Sequence, residues 1–367
     1  VVSRAEVSRN FCLAMRLPPR LSPGSKVAVT APSAGTAAVF PHVRDRAIEV
    51  LRTSFEFTVV LAESMYRVET PPRQRAAELN RLFADSEVEG IVCAIGGDDL
   101  VRVVPFLDRK VISDNPKVVL GYSDITSLHL LLFSLGIMSY YGGNLLCQFG
   151  LLGGMHSLTR TSFIAATHGK DPFQLLESPT YVVDYPDWST DADKSLVSLP
   201  APQWDWQGKL DQTARGILWG GCLESLFVLL ASGLDFILPD ESHGRLVLFF
   251  ETSEVMPPDE LVYGFVQALG QRGLLARRVA ALLVGRPKTE FLGNEPTGGK
   301  ATYAQTQKAA ILRALKEHVM DEESQEQAEI AFPVVFDMDF GHTDPQNFLP
   351  LGSMAEVDPI RRQISIC

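Results

Sequence analysis

No two cysteines in this chain stand close enough in sequence to form a CxxC pair. The five present (Cys12, Cys93, Cys147, Cys222 and Cys367) are isolated and odd in number, which argues against a disulfide framework and a structural zinc site. Positive charge is also short: 33 Lys and Arg stand against 44 Asp and Glu, for a net charge of -11. The basic residues are scattered, so neither a nucleic-acid polymer nor an anionic membrane surface is an expected partner. No apolar run is long enough to span a bilayer. Internal repeats, heptad seams and low-complexity tracts are missing too. A reducing, cytoplasmic setting fits these absences. The opening stretch, "VVSRAEVSRNFCLAMRLPPR", holds only a short apolar piece, too short for a secretory core. Residues 1–20 are therefore expected to form a poorly structured extension.

What the chain does have is apolar content, 46% over 367 residues, enough for two domains with separate cores. From residue 26 onward, strand-like and helix-like stretches alternate. "KVAVTAPSAG", "FTVVLAES", "GIVCAIGG" and "KVVLGYSD" read as buried strands, each running into a small polar turn. Between them, "HVRDRAIEVLRTS", "PPRQRAAELNRLFADSEVEG", "DDLVRVVPFLD" and "ITSLHLLLFSLG" read as helices. Near-continuous apolar strands alternating with helices predict a parallel sheet covered on both faces. Residues 21–165 are assigned to this Rossmann-like α/β domain. Residues 166–210, rich in Pro, Asp, Ser and Trp, read as a connecting and substrate loop region. Residues 211–367 resume the α/β pattern and predict a mixed second domain with a β-rich core.

In open α/β sheets, ligands gather outside the carboxyl ends of strands. The strands here end in Gly96-Gly97-Asp98-Asp99, Gly121-Tyr122-Ser123-Asp124, Glu251-Thr252-Ser253-Glu254 and Gly341-His342-Thr343-Asp344. A hydroxyl, an imidazole and a carboxylate are therefore all available at strand ends. A serine needs a base to become a nucleophile at neutral pH, and the base needs an orienting acceptor. Each residue also has an ordinary reading. Ser123 is placed to cap the helix that follows it. The nucleophile elbow would want glycine two residues later, where this chain has Ile125. His342 could be a turn histidine, Glu251 a loop start and Asp98 a cap. The aspartates at 337, 339 and 344 lack a fixed ligand spacing, so no metal and no cofactor are expected.

Taken together, "LSPGSKVAVTAPSAG", "IGGDDLVRVVPFLD", "GYSDITSLHL", "WGGCLESL", "LFFETSE", "GRP" and "FGHTDP" occur in order over nearly the whole chain. In this the sequence resembles the serine peptidases that comprise LD-carboxypeptidases and microcin C immunity proteins. The resemblance implies a Ser-Glu-His triad carried over as Ser123, Glu251 and His342. It also implies an oxyanion hole of backbone N–H groups at Gly97 and Asp124, substrate contacts at Gly96 and Asp98, and a homodimer. Within the family, "IGGDD" and "FFETSE" look more like the microcin-immunity branch, where a loop tryptophan stacks on adenine. Trp188 of "DYPDWSTD" falls in the matching region, or else it packs the domain junction. The implied substrate is a small peptide, or a peptidyl- or aminoacyl-nucleotide. One departure stands out: some microcin-cleaving members carry a lysine just after the triad glutamate, and "ETSEVMPPDE" has none. The murein tetrapeptide carboxypeptidase reading stays open beside this one. So does a non-catalytic peptide or nucleotide binder. "IGGDDLVRV" also resembles the Gly-Gly-Asp turn of some sugar and lipid kinases, but the phosphate-anchoring lysine and metal site are not evident.

Overall fold

The computed structural model describes residues 15–367 except 170, 186, 190–196, 235–237, 240–242 and 320–329. The apolar runs near the start form β1 (Lys26–Thr30), β2 (Thr58–Leu61), β3 (Gly90–Cys93), β4 (Val118–Gly121) and β5 (Ser139–Tyr141). These pair in parallel in the order β2-β1-β3-β4-β5. β1, β3 and β4 are buried almost throughout, which explains why they read as continuous apolar runs rather than alternating ones. Helices Pro41–Thr53 and Pro72–Ala84 each begin on a proline, where the missing N–H has no intrahelical partner to lose. The order reverses direction between β1 and β3, the switch point at which such sheets open a crevice.

Four short strands cross residues 166–210: β6 (Phe173–Gln174), β7 (Thr180–Tyr181), β8 (Leu199–Pro200) and β9 (Asp205–Gly208). The remaining strands are β10 (Ala214–Cys222), β11 (Leu246–Glu251), β12 (Val279–Gly285), β13 (Pro333–Met338), β14 (Leu349–Leu351), β15 (Met354–Asp358) and β16 (Gln363–Ile366). The second sheet runs β6-β16-β15-β10-β11-β12-β13-β9, with β10 to β13 parallel and the outer pairings antiparallel. The fold is the expected two-domain α/β arrangement. Its halves are stitched together, since β14 adds antiparallel to β5 at the edge of the first sheet. Helix Thr126–Ser134 is buried on every side except at its last residue, because it lies between the two sheets. Thr126 Oγ1 accepts the Cys222 N–H at 3.0 Å, tying that helix to the end of β10.

Three expectations need correction. Residues 15–20 are not a loose extension: the Arg16 N–H donates to the Gly136 carbonyl at 2.7 Å, and the Arg16 carbonyl accepts from Met138 at 3.0 Å. Residues 1–14 lie outside the described part. "DDLVRVVPFLD" forms two 3-10 turns, Leu100–Arg102 and Val104–Phe106, rather than one helix. Pro105 accounts for this, since it offers no N–H to an α-helical ladder and its ring crowds the preceding turn. Ser123 is not a helix cap either, for reasons that belong to the site.

Candidate active site

Ser123 follows β4 and opens a 3-10 turn, Ser123–Ile125, that leads into helix Thr126–Ser134. Its side chain caps nothing. Instead the residue holds a left-handed φ of 65°, a conformation that costs a non-glycine residue roughly 1–2 kcal/mol. The surroundings fix it there. Thr126 Oγ1 donates to the Ser123 carbonyl at 2.6 Å, and the Ser123 N–H donates to the Tyr141 hydroxyl at 3.2 Å. The sharp turn that was not legible as a glycine motif is thus present in the backbone. Gly96 makes room for it: a Cβ there would stand 2.7 Å from Ser123 Cβ.

The turn aims Ser123 Oγ at His342, whose Nε2 lies 3.1 Å away. His342 Nδ1–H donates to Glu251 Oε2 at 2.6 Å. Glu251 ends β11, is fully buried, and takes a second hydrogen bond from the Tyr141 hydroxyl at 2.6 Å on Oε1. His342 sits in the loop after β13, reached through Gly341 at φ 96°, where a Cβ would collide with the Glu251 side chain at 2.6 Å. The structure therefore brings Ser123, His342 and Glu251 into one hydrogen-bonded series. These residues come from three strand ends on two sheets.

Two carboxylates act on His342. Burial alone would lower its pKa, but Glu251 and Glu254 outweigh burial and raise it to about 10. Glu254 Oε2 lies 3.1 Å from Nε2, a contact of distance without hydrogen-bond alignment, since that oxygen receives no hydrogen bond. Burial would raise Glu254, yet its proximity to His342 holds it down at about 2. Both carboxylates thus favour the imidazolium, in which Nε2–H points toward Ser123 Oγ. Once that proton is lost, the bond reverses and the serine hydroxyl donates to Nε2.

The remaining expected residues divide. Gly97 and Asp124 flank Ser123 along one cavity wall, and among the described residues neither N–H donates a hydrogen bond. The Asp124 carboxylate turns away, taking hydrogen bonds from Ser33 Oγ and from the Asp99 and Leu100 N–H groups; burial raises its pKa. Asp98 is exposed at the mouth of the same cavity. Trp188 is half-buried, edge-on to Phe40 with ring centroids 5.5 Å apart. With Tyr185 and Phe291 the pair walls a cavity of about 310 Å³ whose floor includes Ser123 and His342. Among the described residues no cluster of His, Cys, Asp and Glu could hold a metal ion. The three aspartates once weighed as ligands have separate partners. Asp337 pairs with Lys308, Asp339 with Arg286 and Trp204 Nε1, and Asp344 with Gln148 Nε2.

Sequence reasoning missed three residues here. Tyr141 looked like one more apolar-strand aromatic. Lys288, just after "GRP", is buried in the cavity wall and donates to the Val183 carbonyl at 2.8 Å and the His342 carbonyl at 3.3 Å. It sits at the carboxyl end of β12, a position that could have flagged it. Arg286 forms a buried ion pair with Asp339 at 2.9 Å, three residues before His342.

Fold and site together describe a two-domain α/β protein with a buried Ser-His-Glu series between its two sheets. Models of the LD-carboxypeptidase N-terminal and C-terminal domains match residues 27–142 and 215–357, and the chain belongs to that peptidase family. A carboxypeptidase-named protein of Vibrio cholerae is 26% identical over 343 residues, covering 92% of this chain and 93% of that protein. The microcin C7 self-immunity protein of Escherichia coli is 24% identical over 305 residues, covering 80% of this chain and 78% of its own length. Among solved structures, an MccF-like protein from Streptococcus pneumoniae in complex with AMP superposes with a TM-score of 0.78 at 25% identity, covering 94% of this chain and 99% of that one. The self-immunity protein in complex with aspartyl sulfamoyl adenosine superposes with a TM-score of 0.80 at 22% identity, covering 96% and 98%. No helix among the described residues is long and apolar enough to cross a membrane.

Proposed function

We propose that the protein is a serine peptidase or amidase that cleaves an amide-type bond in a peptidyl- or aminoacyl-nucleotide. The observation that carries this reading is the Ser123–His342–Glu251 series opening onto an aromatic-walled cavity. His342, once neutral, takes the Ser123 proton as Oγ attacks the substrate carbonyl carbon. Glu251 holds the Nδ1–H tautomer and stabilises the imidazolium that forms. The tetrahedral oxyanion is met by the N–H groups of Gly97 and Asp124, fixed dipoles that need no reorganisation at the moment of reaction. Collapse breaks the carbonyl–nitrogen bond while His342 returns its proton to the leaving nitrogen. Water, deprotonated by His342, then releases the acyl group from Ser123.

Trp188 and its aromatic neighbours suit the flat face of a nucleobase. Stacking of this kind is worth roughly 1–3 kcal/mol per base. The AMP and sulfamoyl-adenosine complexes of the related structures support this choice of leaving group. The test is a hydrolysis panel setting peptidyl- and aminoacyl-adenylate analogues against murein tetrapeptide, with fluorophosphonate labelling in parallel. Labelling at Ser123 with preference for the adenylates is the expected result. Preference for the tetrapeptide would assign the murein carboxypeptidase reaction instead. Absence of both labelling and hydrolysis would leave a non-catalytic binder.

A further inference from the structure

Ser123 stands between two cavities of opposite character. The first is the aromatic one that holds Trp188. The second, of about 280 Å³, lies on the other side of Ser123, beyond Gly97 and Asp124. Its wall carries the carboxyl groups of Asp98, Glu224 and Glu254, and no Lys, Arg or His lines it among the described residues. Glu224 is oriented by the Ser253 N–H at 2.9 Å and Ser253 Oγ at 2.6 Å, so its charge is fixed in place.

One further observation marks this cavity as built for a ligand rather than as a solvated acidic face. Ser127 lines it at 1% exposure, and its hydroxyl has no hydrogen-bond partner among the described residues. A buried hydroxyl left unpaired costs free energy that a bound polar group would recover. Glu254, on the same wall, already has a partner, since its Oε2 lies 3.1 Å from His342 Nε2. If the nucleobase occupies the aromatic side, the scissile carbonyl at Ser123 directs the rest of the substrate here.

We propose that this acidic cavity is the acyl subsite, and that it selects substrates whose acyl side chain is basic rather than acidic. The inference rests on the nucleotide reading of the aromatic side. An ammonium group would meet the carboxylates of Asp98 and Glu224, with Glu254 already facing His342, whereas an acidic side chain would be repelled by all three. Ser127 Oγ and the oriented Glu224 carboxylate offer hydrogen bonds to such a group.

The test is titration calorimetry of the wild-type protein with non-hydrolysable lysyl-, norleucyl- and glutamyl-sulfamoyl adenosine, with AMP as reference for the aromatic side. The lysyl analogue should bind tightest and the glutamyl weakest, with roughly a tenfold gap between the two. Glu224→Gln should narrow that gap; should Glu224→Gln fail to fold, exposed Asp98→Asn should narrow it instead. Glutamyl binding equal to or tighter than lysyl, while AMP still binds, would overturn the subsite and leave the nucleotide reading standing. A gap undiminished in both variants would also overturn it. Failure of AMP and all three analogues to bind would overturn both readings.

Discussion

The Tyr141 hydroxyl stands 2.6 Å from Glu251 Oε1 and accepts the Ser123 N–H at 3.2 Å. One phenol thus links the turn that presents the serine to the carboxylate that orients the histidine. Burial, and then the neighbouring Glu251 charge, raise its pKa well above the usual phenol range, so it stays a donor to Glu251. Tyr141→Phe would leave a buried N–H and one carboxylate oxygen without this partner, at a cost of about 1–3 kcal/mol. The expected outcome is a fall in kcat of at least roughly tenfold with KM little changed. A lower melting temperature with kcat intact would reduce Tyr141 to a packing residue.

The backbone at Ser123 makes a prediction about stability. Its left-handed φ of 65° strains any residue with a Cβ, so Ser123→Ala should keep the strain and remain within about 1 kcal/mol of wild type. Ser123→Gly should relieve it and be more stable than Ser123→Ala by about 1 kcal/mol, even after its extra freedom in the unfolded chain is counted. Both variants should lack turnover. Urea denaturation of the pair checks the strain; equal midpoints would show that the turn stores none.

The pH dependence follows from the two carboxylates around His342. Both favour the imidazolium, which raises its pKa to about 10 against the opposing effect of burial. A general base must be neutral, so kcat/KM should climb with pH through the alkaline range instead of levelling off near 7. Glu254→Gln removes one of the two charges and should shift that limb to lower pH. Nuclear magnetic resonance titration of the His342 ring gives the same reading without substrate. A limb that stays in place, or moves upward, would mean that Glu254 does not act on the ring.

The strand ends were legible because apolar runs of β-branched residues stop abruptly at small polar turns, and such ends share one side of a parallel sheet. That logic flagged the turns holding Ser123, Glu251 and His342 across gaps of more than ninety residues, and the family resemblance singled out these three. Tyr141 escaped it because "SYYGG" looks like packing until the fold aims the hydroxyl at Glu251. Glu254 shares its strand end with Glu251, and only the structure separates them: Glu251 lies 2.6 Å from Nδ1 of His342 and Glu254 3.1 Å from Nε2. Strand β10 was obscured by Gly216, Gly220 and Gly221, which weaken a strand signal. Gly221 is nevertheless required, since a Cβ there would sit 2.4 Å from Thr126 Cγ2. The left-handed Ser123 carries no sequence mark at all, because the constraint comes from Thr126, Tyr141 and Gly96 around it.

Trp188 decides between the leaving groups. The ring is half-buried, edge-on to Phe40, and borders the cavity above Ser123. A stacking side chain contributes the same binding energy to ground state and transition state, so its loss should appear in KM far more than in kcat. Trp188→Ala should raise KM for adenylate-bearing substrates by roughly tenfold, equivalent to about 1.4 kcal/mol. Trp188→Phe, which keeps a smaller aromatic face, should raise it less. For a base-free peptide neither change should matter much, because no nucleobase lies against the indole. Steady-state kinetics on matched substrates with and without the base separates the outcomes. Equal effects on both would make Trp188 a packing partner of Phe40 and remove the nucleotide from this site, while leaving Ser123, His342 and Glu251 to act on a peptide.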